Sequence, residues 1–440
     1  MARRKRGMGG PLLTFARATD GNATVWSLMM IATFLYLGGY AVDVSNLSTE
    51  SIRLQAAVDS AAHAALVERE LHTAEEAKIK ALALAEANLD PAVYGNTLEA
   101  GNIVFGSWDD ETQTFTADPA LPNAVQATVY RTAANENALD TFMWQVAGVN
   151  AFDITASATY TTYVPTCFRE GFVATDEVNI QSNNSYFSGF CIHSNAYVAL
   201  NANNYFESGT VVSMPDLDQL QLPNSGFESN LGLESALREG SCNIRIIKRI
   251  TDIVSTIDEP GSPYRPDYLT SSDPETLTGR TIDETDLIPG RLYYWNCTGG
   301  NGTIRIRTTP IRKVVIVTPC EVAFGANAEL EDVVIVNSNT SMTSFSASSG
   351  LTLGKNDGCA EGGGVQLVTL GGMSLSANLA MYGSQLLAMK DIEFAARADG
   401  FQGAAIVSGG FISGTSNMNM SFCGTGMEDN FVAQYFRMVE

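Results

Sequence analysis

Between Gly21 and Val42 the chain has 22 residues without a charge, "GNATVWSLMMIATFLYLGGYAV", and no proline follows until Pro91. Such a run is too long and apolar to be an ordinary surface helix. At about 1.5 Å per residue it spans roughly 33 Å, enough to cross a bilayer core. A cleaved signal peptide is the competing reading, but a signal core has only about 7–15 apolar residues. No clean small-x-small site ends this run either, so a signal anchor is the better reading. Gly21, Trp26, Gly38, Gly39 and Val42 mark the expected transmembrane segment.

The flanks are asymmetric. Arg3, Arg4, Lys5, Arg6 and Arg17 precede the run, whereas Asp43 and Glu50 follow it. The positive-inside rule places residues 1–20 in the cytoplasm and everything after Val42 outside. The formal charge is −22 overall, so without those five cations the rest is at −27. An acidic body of this kind argues against nucleic acid as a partner, since phosphate binding needs clustered Lys and Arg.

Residues 43–88 read as one uninterrupted helix, rich in Ala, Leu, Glu, Gln and Lys. Leu47, Leu54, Val58, Ala61 and Ala65 recur at three- and four-residue steps, a narrow stripe that admits a close partner. After the turn "LDP", "GNIVFGSW", "ETQTFTA", "NAVQATVYRT" and "FDITASATYTTYV" read as strands, and "NENALDTFMWQVAG" as a helix. The result is a small α+β module at 91–165 behind a helical stalk at 43–90.

From residue 166 onward short apolar stretches alternate with Asn, Ser and Gly. This texture predicts a β-rich domain over 166–440, a parallel β-helix or related β-solenoid, with a β-sandwich as the alternative. Buried Asn ladders at the corners would satisfy the turn backbone. A partly helical insertion is expected at about 224–310. The fold class is therefore α+β, with the transmembrane helix running into a long helix, then the module, then the β-rich domain.

The seven cysteines all lie in the exported part, where disulfides form, and none belongs to a CxxC pair. Cys167–Cys191 closes a short loop and is the economical pairing. Enzyme motifs are mostly absent: there is no GxSxG, HExxH or P-loop. The chain reads as non-enzymatic, with no cofactor and no metal. Cys191 and His193 share a strand face but have no identifiable third member. Asp43 and Ser45 begin an Asp-x-Ser-x-Ser adhesion-type metal motif, but Leu47 breaks it. For a solenoid, glycan binding or cleavage needs clustered carboxylates. Asp216 and Asp218, with Arg245, Lys248 and Arg249, are the candidates.

The exit stretch carries a resemblance. An apolar helix, a small residue, "VD" and then "RLQAAVDSAAHAA" resemble the N-terminal region of the Flp (Tad) pilus-assembly TadE/G-like family. The matching positions are Asp43, Leu54, Gln55, Asp59, Ala61, Ala62 and Ala64. The resemblance implies a single-pass, pilin-like component of the bacterial inner (cytoplasmic) membrane, with its bulk periplasmic or extracellular. Its partners would be other pilus-assembly subunits, met through the helix face of Asp43, Leu47, Leu54, Gln55, Val58, Asp59, Ala61 and Ala62. A glycan-binding or glycan-cleaving tethered protein and a surface adhesin are the alternative functions.

Overall fold

The computed structural model describes residues 22–440 except 272, 298–301, 308–309 and 416. Gly21 and the basic segment 1–20 lie outside the described residues. The chain divides into two compact units: the part up to Tyr163 together with Phe436–Glu440, and Val164–Tyr435.

In the first unit, helix α1 (Asn22–Arg69) runs without a break through the apolar segment and the polar residues after it. Within the apolar stretch, Ser27 and Thr33 donate their hydroxyls to the carbonyls of Ala23 and Met29, both at 2.8 Å, so neither is left without a partner. The large side chains from Val25 to Val42 are exposed on every side. From Asp43 onward one face is buried.

The helix expected to continue to residue 88 is interrupted, because Thr73 caps a new one. Its side chain accepts from the Glu76 amide, and the Glu76 carboxylate accepts from the Thr73 amide at 2.9 Å. This reciprocal capping box starts α2 (Ala74–Asn88). The signal, "TAEE", is present in the sequence. Helix α2 buries Ala77, Ala81 and Ala85 in the same core as Ala57, Ala61 and Ala65 of α1.

The helices cover a sheet whose labelled strands are β1 (Ile103–Asp109), β2 (Thr114–Ala117), β3 (Ala124–Arg131) and β4 (Ile154–Tyr163). Its order is β2-β1-β3-β4, followed at the edge by the C-terminal strand Tyr435–Met438. The pairings β1–β2, β1–β3 and β3–β4 are antiparallel. Val125, Ala127 and Val129 alternate inward toward the helices, as the period-two pattern requires. Ala156 and Ala158 of β4 join them, and small residues on both layers let α1 lie close to the sheet.

The expected helix in "NENALDTFMWQVAG" does not form. Leu139–Asp140 pairs with Ala151–Phe152 as a small hairpin instead, around a single 3-10 turn at Trp144–Ala147. Gly148, at φ +87°, closes that turn. A nonlocal acceptor described below takes amides that a helix would have used.

The second unit is built on a large parallel sheet. Successive passes of the chain pair at matched positions: Gly171 with Cys191 and Cys191 with Val211, then Val178 with Val198. Buried Asn184, Asn204 and Asn230 form a ladder, with amide-to-carbonyl side-chain bonds of 2.8 and 2.9 Å. Pairing is not sequential throughout, since Gly171–Ala174 lies between Cys191–Ser194 and Ala405–Ser408.

Within 224–310, "CNIRIIKRITDIVSTI" forms the helix Arg245–Thr256, whereas "ESNLGLESALREG" yields only a single helical turn, Leu233–Ala236, between the short parallel strands Asn230–Leu231 and Leu237–Glu239. Strands at Glu275–Leu277, Arg291–Trp295 and Thr303–Ile306 belong to the parallel sheet, so the later part of the expected insertion is sheet. Ile246, Ile250, Ile253 and Ile257 place one apolar stripe of the helix on Val173, Val315, Val334, Val368, Leu387 and Val407. The opposite sides of those strands, with Phe172, Ile316, Ile335, Leu367 and Ile406, fill the inner core. Burial on both faces explains why "VVIV" reads as a continuous apolar run.

Candidate functional site: the membrane-exit helix

Where α1 leaves the apolar run, three features tie it to the module. The buried Asp43 carboxylate accepts the backbone amides of Phe142 and Met143 at 2.7 Å and of Trp144 at 2.9 Å. One turn earlier Gly39 leaves room for Met143, since a β-carbon there would fall 1.9 Å from its Cγ. Tyr40 stacks on Trp144 with ring centroids 5.0 Å apart. Two turns later Glu50 accepts from Arg131 at 2.7 Å and from Arg53 at 2.9 Å, and Arg131 lies over the Tyr94 ring. The polar residues after the apolar run are therefore internal fasteners, which is why the helix continues unbroken.

Most of the expected partner face is occupied within the chain itself. Leu54, Val58, Ala61 and Ala62 are fully buried in the module's own core, and Leu47 is half-buried. Gln55 donates to Asp59 at 2.8 Å and to the Ser157 carbonyl of β4 at 3.0 Å, so these two also face inward partners. The apolar stripe is satisfied by the chain's own sheet. The outward stripe is Ser45, Thr49, Ile52 and Ala56, with Ile52 70% exposed. Of the residues expected in the transmembrane segment, Trp26 and Val42 are exposed, Gly38 faces open space and Gly39 is half-buried under Met143. The Asp43 carboxylate, filled by amides, does not begin a cation site.

In the second unit Cys167 is bonded to Cys191, Cys297 to Cys320 and Cys359 to Cys423. Closing loops of 24, 23 and 64 residues contributes about 3–4 kcal/mol each by restricting the unfolded chain. Cys191 therefore offers His193 no thiol. The thiol beside His193 is the free Cys242, with Sγ 3.2 Å from Nε2, a neighbour 49 residues away that no local motif signals. Only the odd cysteine count hinted at it.

The partners fix the tautomer. Asn195 donates its amide to the Cys242 carbonyl at 2.8 Å, so its oxygen faces His193 Nε2 at 3.0 Å and that nitrogen carries the proton. Ser213 then donates to Nδ1 at 2.7 Å. The imidazole thus has no lone pair for the thiol. Burial pushes the thiol up to about 11 and the imidazole below its ordinary value. A neutral thiol beside a neutral ring is not an activated nucleophile. Cys242 is expected to react with iodoacetamide at pH 8 about 100-fold more slowly than free cysteine. A rate equal to that of free cysteine would show an exposed, ordinary thiol.

Asp216 caps a short 3-10 turn and accepts the Asp218 amide at 2.9 Å. Arg249 lies 3.6 Å from Asp252 of its own helix, and Arg245 donates to the Gln434 carbonyl.

No curated protein matches the chain. Among solved structures, the crystal structure of an ice binding protein from an Antarctic Biological Consortium is similar at 10% identity and a TM-score of 0.22. That match covers 59% of this chain and 90% of that one, and a score so low carries no argument about fold or ligand. The model of the TadE/G-like Flp pilus-assembly family matches residues 21–74, and that of a Tad-like Flp pilus-assembly family matches 49–159. The N-terminal region is thus TadG-like, as its exit motif implied. A third family model, described as a domain of unknown function (DUF7867), matches residues 171–424, more than half of the chain, and the chain therefore belongs to that family.

Proposed function

We propose that this protein is a membrane-anchored structural component of a Tad-type pilus or related secretion system that works by docking and not by catalysis. The observation that carries this reading is α1 itself. One helix is apolar and exposed around its whole circumference before Gly39, and is locked into a compact module from Asp43 onward. The family matches at residues 21–74 and 49–159 support the same assignment. The N-terminus is cytoplasmic in this reading and the two units are exported, consistent with three disulfides in the second.

The second unit is a parallel β-solenoid in this reading. The parallel registers and the Asn184–Asn204–Asn230 ladder support a solenoid over a sandwich, because stacked passes place like residues above one another. Docking uses the apolar helix and the outward stripe of Ser45, Thr49, Ile52 and Ala56. Crosslinking in native membranes, followed by purification of the full chain, is expected to recover pilin and secretion-channel subunits. Recovery of neither, together with polysaccharide turnover by the purified protein, would replace this reading with the glycan one.

A further inference from the structure

We propose that the loop Thr141–Asn150 is a second membrane contact, lying in the interfacial layer of a phospholipid bilayer beside the spanning helix. The inference rests on the reading of α1 as a membrane anchor and adds a site to it.

The loop's height along the helix is fixed. Its ties reach Gly39, Tyr40 and Asp43, which are the last turn of the apolar run and the first charged residue after it. If Ala23–Val42 lies in lipid, the loop stands at the lipid–water boundary. Three amides on one carboxylate and a stacked ring pair leave it little freedom to move along the helix axis.

The surface it presents there is apolar. Val146 and Phe142 are 76% and 73% exposed, more than any other large hydrophobic side chain among the described residues. "TFMWQVAGVN" contains no charged residue. Trp144 stacks on Tyr40 and meets Phe152 edge-on at 5.6 Å, so three aromatic rings gather at this level. Aromatic rings at the headgroup level anchor membrane proteins, because one part of the ring is apolar and another polar. Burying Phe142 and Val146 in the interface removes from water apolar surface that the module itself leaves uncovered.

The occupant is lipid because the loop is tied, at Gly39 and Tyr40, to the last turn of the apolar run that this reading places in the bilayer. A neighbouring subunit covering the same patch is an outcome of the test. The turn leaves Phe142 and Val146 exposed while Asp43 holds the amides of Phe142, Met143 and Trp144.

The test uses the full chain with Cys242→Ser, reconstituted in phosphatidylcholine–phosphatidylglycerol vesicles. A nitroxide is placed at Val146→Cys, at Phe34→Cys as the reference for the spanning segment, and at the exposed Ala134→Cys as the reference for water. The ratio of relaxation by oxygen to relaxation by a nickel chelate is measured for each. At Val146 it is expected to be at least about threefold higher than at Ala134 and below that at Phe34, as for an interfacial residue. A water-like ratio at Val146 with a lipid-like ratio at Phe34 overturns the loop contact alone. Protection at Val146 from both reagents means that protein covers the patch, and also overturns it. A water-like ratio at Phe34 removes the anchor reading itself.

Discussion

Asp43→Ala lowers the melting temperature of the first unit by roughly 10 °C, with Asp43→Asn intermediate. Asp43 Oδ1 accepts the Phe142 amide, and Oδ2 accepts those of Met143 and Trp144. Alanine leaves all three amides without their acceptor, and a donor stranded away from water costs more than the bond itself was worth. Asparagine keeps one oxygen, which can serve the Met143 and Trp144 pair, but turns an NH2 group toward the remaining amide. The ranking therefore tests the geometry and not the charge alone. Near-ultraviolet circular dichroism would follow the loss of the Tyr40–Trp144 stack in parallel. Equal melting temperatures for all three proteins would mean that the loop does not depend on the carboxylate.

Several parts of this architecture are legible in the sequence for a physical reason. The uncharged run is long enough to cross a bilayer, and Val125, Ala127 and Val129 repeat with the period of a strand. Both signals are local and periodic, so no tertiary information is needed to read them. The exit motif led to the TadE/G-like family for a similar reason: its order of apolar, small and acidic residues is contiguous.

The remainder depends on contacts distant in sequence. Nothing near Asp43 announces that its acceptors serve amides about a hundred residues later, at the start of the 3-10 turn that stands where "NENALDTFMWQVAG" was expected to be a helix. The chain's last residues return to the first unit's sheet, where Thr159 donates to the Glu440 carbonyl at 2.8 Å, a pairing invisible in a linear reading. The expected partner face is covered by the chain's own sheet, which a linear reading misses for a related reason. A small-residue stripe shows that something packs closely, but not whether the partner is another chain or the protein's own sheet. The parallel sheet showed no strict repeat because its spacing varies. Cys191 lies 20 residues from its partner Gly171, whereas Val365 lies 32 from Val333, with a Gly-rich excursion through Cys359 between them.

That ambiguity between inner and outer faces gives the second large effect. Leu54→Ala removes a fully buried side chain from the layer between α1 and the sheet, and is expected to cost about 2–5 kcal/mol through lost transfer energy and the cavity left behind. Ile52, two residues earlier, is 70% exposed and lies on the opposite stripe with Ser45, Thr49 and Ala56. Ile52→Asp should therefore leave stability within about 0.5 kcal/mol of the parent. If the outward stripe meets pilus subunits, the same substitution should abolish their crosslinked recovery from membranes, since an unpaired carboxylate would be buried in the contact. The pair of variants separates folding from docking: one loses stability, and the other keeps it while losing partners. Unchanged recovery with Ile52→Asp would move the docking surface off this stripe, to the apolar helix or the second unit. Full stability of Leu54→Ala would mean that α1 does not pack on the sheet through this face.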